Sequence, residues 1–121
     1  MCVAAALTTI ELIERELLPN AASVGAHMKS RLEEFPKKYG IVGEVRGLGL
    51  MIGIEIVRDQ QTKDRAPDLR EKIEYGCFER GVLVLGAGPN SIRISPPLVI
   101  SKDQADFAVD TIEEVIKSIV A

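Results

Sequence analysis

Tryptophan is absent from this 121-residue chain, and aromatic residues together make only 4% of it. Base stacking needs aromatic side chains, and phosphate binding needs a basic face. Fifteen Lys and Arg stand against eighteen Asp and Glu, a net charge of -3. Both observations argue against a nucleic-acid partner. Cysteine and histidine are equally scarce. Cys2, Cys77 and the single His27 cannot complete a zinc set. No apolar run approaches the roughly 20 residues that span a bilayer. Met1 to Leu7 is apolar, but no basic region precedes it and Thr8, Thr9 and Glu11 follow at once, so it does not read as a targeting signal. The expectation is a soluble protein of the reducing cytoplasm, without a membrane partner.

What remains is an ordinary globular composition, 46% hydrophobic and 27% charged. The length suits one domain, which buries roughly two-thirds of its unfolded surface and needs no staples. Val3, Leu7, Ile10, Ile13 and Leu17 recur at helical spacing, which predicts an amphipathic helix over residues 2–17. That pattern begins with no cap ahead of it, as expected of a piece of something longer. Proline lacks a backbone donor, so Pro19 is expected to interrupt the helix, and Asn20 to cap a second one through Phe35. Ala21, Val24, Met28, Leu32 and Phe35 form its apolar stripe.

The period then changes from helical to two. Leu48, Leu50, Ile52, Ile54 and Ile56 alternate with Gly49, Met51, Gly53, Glu55 and Val57, which predicts one strand with a strongly apolar face. Pro67 opens a third helix with Leu69, Ile73, Gly76 and Cys77 on its stripe, and Gly81 stops it. Val82–Leu85 reads as a short strand, 86–90 as a loop and 91–95 as a return strand ended by Pro96 and Pro97. Ser101 and Gln104 form a capping box for the last helix, whose stripe is Ala105, Ala108, Ile112, Val115, Ile116 and Ile119. The fold class is α+β, a small, mostly antiparallel sheet packed with helices.

Gly47, Gly49 and Gly53 invite a dinucleotide-binding reading, which fails because they lie in a strand pattern and open no helix. Glycines at a bend explain them better. The 86–90 loop reads as a hairpin connection, although its glycines also free the backbone to approach a ligand. Arg93 sits between Ile92 and Ile94, so it points to the opposite face of a strand stiffened by Pro96 and Pro97. A planar fork held on a rigid strand suits bidentate carboxylate recognition. An exposed strand arginine with no such role is the plainer alternative. His27 has no partner at motif spacing and reads as solvent-facing, while Cys2 and Cys77 read as small buried hydrophobes. Glu33, Glu34, Glu113 and Glu114 read as charged helix faces. A Schiff-base lysine needs a desolvated pocket. Lys29, Lys72 and Lys117 fall on polar helix faces, Lys37, Lys38 and Lys63 in polar loops, and Lys102 in a first turn. Alone, the chain looks catalytically incomplete.

The segments Ala4–Glu16, Val45-Arg46-Gly47-Leu48-Gly49-Leu50-Met51-Ile52-Gly53-Ile54-Glu55 and Gly88-Pro89-Asn90-Ser91-Ile92-Arg93-Ile94-Ser95-Pro96-Pro97-Leu98 together resemble the C-terminal part of class III pyridoxal-phosphate aminotransferases. The 4-aminobutyrate, acetylornithine and ornithine branch is the nearest in character. The resemblance implies a fold-type I enzyme whose large domain, with the Schiff-base lysine, lies outside this chain. Residues 1–17 would be a connecting helix and 18–121 the small C-terminal domain. It also implies that Arg93 binds the substrate carboxylate, that amino acids and 2-oxo acids are the substrates, and that the parent is a homodimer. Pyridoxal 5'-phosphate would be the parent's cofactor, with none bound by this piece alone. The bare first helix is expected to make the piece self-associate. A stand-alone small-molecule-binding or oligomerisation module of the same fold is the alternative.

Overall fold

A computed structural model describes residues 1–121. The first two helices are one continuous rod. α1 (Cys2–Leu12) passes through a π-helical turn, Ile13–Leu17, directly into α2 (Leu18–Leu32). The break expected at Pro19 is therefore absent. A proline ring crowds the carbonyl four residues back, here Arg15, and Arg15 lies within the widened turn that relieves this crowding. α1 buries no residue. On α2 the stripe turns inward, with Val24, Met28 and Leu32 buried, and the short α3 (Phe35–Lys38) adds Phe35.

The sheet has four antiparallel strands in the order β1-β2-β4-β3. They are β1 (Val42–Leu48), β2 (Met51–Ile56), β3 (Leu85–Ala87) and β4 (Ser91–Ile94). The single strand expected from residue 48 onward is in fact the end of β1, a two-residue turn and β2. Gly49 makes the turn at φ +56°, a left-handed conformation that costs glycine little. The alternation misled at one residue. Leu48 lies before the turn and is 89% exposed, whereas Leu50, Ile52, Ile54 and Ile56 are buried. The strand expected at 82–85 is also displaced. Only Leu85 pairs, and Gly86 and Ala87 extend it, so the turn narrows to residues 88–90.

One face of the sheet is covered by α2, α4 (Pro67–Glu79) and α5 (Lys102–Val120). In register, Ile52 faces Ile94 and Ile54 faces Ile92, which builds the centre of the core. The capping box is present, with Gln104 N–H donating to Ser101 Oγ at 3.2 Å and Ser101 N–H donating to Gln104 Oε1 at 3.0 Å. The other sheet face carries no helix. The architecture is α+β, as the sequence implies. No helix is long and apolar enough to cross a membrane.

Candidate substrate-carboxylate site

Period-two alternation along β4 buries Ile92 and Ile94 and leaves Arg93 on the open face. Arg93 pairs in register with Gly53 of β2 on one side and Leu85 of β3 on the other. Gly53 in turn faces Arg46 of β1, so Arg46, Gly53, Arg93 and Leu85 form one row across the sheet. Gly53 contributes no side chain to that row, and Arg46 leans over it. Its Cγ lies 3.9 Å from where a Cβ on Gly53 would be. Arg46 Nη2 donates to Ser91 Oγ at 3.3 Å, and its Nη1 stands 3.7 Å from Glu44. Arg93 has no side-chain partner in the chain.

Two cavities meet at Arg93. One, of about 670 Å³, lies over the open face among Arg46, Met51, Gly53, Ser91 and Arg93. The other, of about 490 Å³, is mainly apolar and lies behind Val84, Pro96, Pro97 and Phe107. An unpartnered guanidinium beside a second arginine, over a bare glycine floor, gives the open face a positive centre that favours a carboxylate. Asn90 holds this strand in place. It is 6% exposed, its side-chain amide donates to the Ile56 carbonyl at 2.8 Å, and its own carbonyl accepts from Ile56 N–H at 2.7 Å. Sequence reasoning left both Arg46 and Asn90 out of the site. Arg46 becomes visible only once the β1–β2 register is known.

The other expected candidates fall elsewhere. His27 is not free in solvent, because its Nε2 lies 2.6 Å from Asp106 Oδ1 of α5, and Arg31 donates to the same oxygen at 2.8 Å. These bonds from His27 and Arg31 hold the Asp106 carboxyl below its usual range. The cluster ties α2 to α5. Sequence spacing could not reveal a pair 79 positions apart. Cys77 is buried, which pushes its thiol up to about 11. Cys2 is exposed, because α1 has nothing packed on it. Glu113 is more than a charged face. It accepts from the Tyr39 hydroxyl at 2.7 Å, which holds its carboxyl low, while burial and that bond raise Tyr39 to about 12.

The aminotransferase class-III family matches residues 1–116. This chain belongs to that family. The class-III domain is 45% identical over 117 residues to an alanine/serine racemase of Pyrococcus horikoshii, covering 94% of this chain and 24% of that protein. It is 41% identical over 112 residues to the mitochondrial alanine–glyoxylate aminotransferase 2 homolog 2 of Arabidopsis thaliana, covering 90% of this chain and 24% of that one. Among solved structures it matches an amine transaminase from an uncultivated Pseudomonas species in its PLP-bound form. There the TM-score is 0.86 and the identity 36%, over 95% of this chain and 27% of that one. The chain thus spans about a quarter of the length of these relatives. Others are named as a leucine/methionine racemase, an isoleucine 2-epimerase and an ammonia-lyase.

The family's cofactor is pyridoxal phosphate, present in the matched Pseudomonas transaminase. Its aldehyde is held by a lysine amine that a dry pocket keeps unprotonated. No lysine of this class-III domain is buried. Its residues therefore do not fit that anchoring role, and what they offer instead is the arginine on the open sheet face.

Proposed function

We propose that this domain supplies substrate-carboxylate recognition and domain closure to a pyridoxal-phosphate-dependent transaminase. The enzyme would move an amino group from an amino acid such as 4-aminobutyrate, ornithine or acetylornithine to a 2-oxo acid. Residues 1–17 would serve as a connecting helix and 18–121 as the small domain. The observation that carries the reading is Arg93, unpaired on the open face, in a chain of this family. The class-III match along nearly the whole length favours this over a stand-alone binding module.

Pyridoxal phosphate, held by residues outside this chain, supplies the carbonyl that takes up the amino group. The work of this domain is positional. Arg93 grips the carboxylate with two parallel N–H bonds, and a grip at one end fixes the other end of a small molecule. Amino acid and 2-oxo acid both carry a carboxylate, so one arginine serves both half-reactions. Closure of this domain onto the rest of the enzyme would exclude water from the pair and strengthen it.

A second reading has support of its own, since two relatives at 40% and 45% identity are named racemases. Racemisation of an amino acid would use the same carboxylate grip. The two reactions are separated by their products, a 2-oxo acid in one case and the opposite enantiomer in the other.

The test is Arg93→Ala and Arg93→Lys in the complete enzyme. Losing one partner of a desolvated charge pair costs about 2–5 kcal/mol, so kcat/KM should fall roughly 30-fold or more for amino acid and oxo acid alike. Lysine keeps the charge without the fork and should fall between Ala and wild type. Wild-type kcat/KM in Arg93→Ala would return Arg93 to an ordinary strand residue.

The parent is proposed to be a homodimer in the cytoplasm, the latter in keeping with two free thiols. The isolated domain should self-associate through α1, where Val3, Leu7 and Ile10 stand more than half exposed. Sedimentation at rising concentration should show species larger than a monomer, and a clean monomer throughout would contradict this.

A further inference from the structure

The hairpin that carries Arg93 is thinly held on one side. β3 is an edge strand of three residues, and β4 is its only sheet neighbour. Arg93 makes no side-chain bond of its own, so its direction is that of the hairpin.

Beneath β3, on the helix side, lies Arg70 of α4, with its side chain only 17% exposed. Arg70 Nη1 donates to the Gly88 carbonyl oxygen at 2.7 Å, at the tip of the β3–β4 hairpin. Glu74 stands one helical turn on, with Oε2 4.0 Å from Arg70 Nε. The pair fills the space that a side chain at position 86 would need. A Cβ on Gly86 would come within 2.5 Å of Glu74 Oε1 and 2.8 Å of Arg70 Nη1. A half-dry guanidinium bonded to a carbonyl forms a charge-assisted bond, stronger than the neutral bonds of the ladder. The turn is thus fixed from two directions, by Arg70 reaching out from α4 and by its own Asn90 donating to Ile56 of β2.

We propose that Arg70 is a positioning residue for the substrate carboxylate, acting through the Gly88 turn on Arg93. This rests on the carboxylate-binding reading of Arg93. Arg70 lies on the helix side of the sheet and Arg93 on the open side, so Arg70 does not touch substrate. Without it, the turn and the edge strand lose their tie to α4, and Leu85, directly opposite Arg93, moves with them. A displacement of about 1 Å in a positioning element can cost up to about 100-fold.

The experiment compares Arg70→Ala, Arg70→Lys, Arg93→Ala and the double alanine variant in the complete enzyme. Arg70→Ala should raise KM about tenfold for both amino acid and 2-oxo acid, with kcat within about threefold of wild type. Cofactor absorbance should be unchanged. Arg70→Lys should recover part of the loss, because an ammonium still reaches the Gly88 carbonyl. The double variant should be no worse than Arg93→Ala, since Arg70 acts only through Arg93. An unchanged KM in Arg70→Ala alongside a raised one in Arg93→Ala overturns the proposal, as do losses that multiply in the double variant. A silent Arg93→Ala overturns the carboxylate reading, and this proposal with it. Should Arg70→Ala not fold, Gly86→Ala displaces the same pair, and an unchanged KM there overturns the proposal equally.

Discussion

Ile52, Ile54 and Ile56 point one way from β2, and Met51, Gly53 and Glu55 point the other. On the first side helices close over the isoleucines; on the second no helix packs, and only side chains such as Arg46 lean over the strand. β4 repeats the division with Ile92 and Ile94 against Ser91 and Arg93. The same strand therefore holds the fold together with every second residue and presents a cation with the residue between. Burial fixes the backbone of β4 from behind, so the open face gains an arginine whose backbone is held in place while its side chain stays free. Stability and the proposed recognition are separated by one position in sequence and by the thickness of the sheet.

The sharpest way to break this comparison is to truncate one residue on each face of β2. Ile54→Ala leaves a cavity against Ile92 and should destabilise the domain by about 2–5 kcal/mol. Met51→Ala, at a position 67% exposed, should stay within about 0.5 kcal/mol of wild type. Denaturant melts of the two variants decide it, and similar losses from both would refute the division.

A smaller effect is expected where α2 meets the β1–β2 turn. A Cβ on Gly25 would lie 2.2 Å from the Gly49 carbonyl oxygen, which is backbone and cannot swing aside. Gly25→Ala should cost about 1–3 kcal/mol in a melt despite its better helix propensity. A stabilised variant would show that the turn is free to move off α2.

The smallest effects are those of pH. Asp106, bonded to His27 and Arg31, and Glu113, bonded to Tyr39, have carboxyls held low. The folded state thus favours their charged forms. That stability is present above the unfolded value of about 4 and is lost as pH falls through the folded one. Cys77 and Tyr39 shift the other way, to about 11 and about 12. Their protonated forms are favoured, and the stability they add is lost as pH climbs through those values. Melting temperature should fall modestly at both ends, and Asp106→Asn should flatten the acid side. An unaltered acid limb in Asp106→Asn would remove the cluster from the account.

Much of this was legible in the residues. The helical stripes of α2, α4 and α5, the capping box at Ser101 and the exposure of Arg93 between two buried isoleucines all follow from local period. The errors share a cause. Alternation cannot tell a strand from a strand that turns, so it assigns Leu48 to the buried face, whereas Gly49 reverses the chain and leaves Leu48 exposed. Pro19 marked a break by its own chemistry, yet a π turn placed ahead of it kept the rod whole. His27 and Asp106, like Arg70 and Gly88, meet only through tertiary packing, and no local pattern brings such partners together. Arg46 joins the site row through strand register alone.

The central claim is that Arg93 on the open face reads the substrate carboxylate. The most direct measurement is the ratio of kcat/KM for an amino acid to that for the amine lacking its carboxylate, in wild-type enzyme and in Arg93→Ala. The account expects the ratio to fall by roughly 30-fold or more in the variant, because only the carboxylate-bearing substrate loses its partner. A ratio unchanged by the substitution would contradict it.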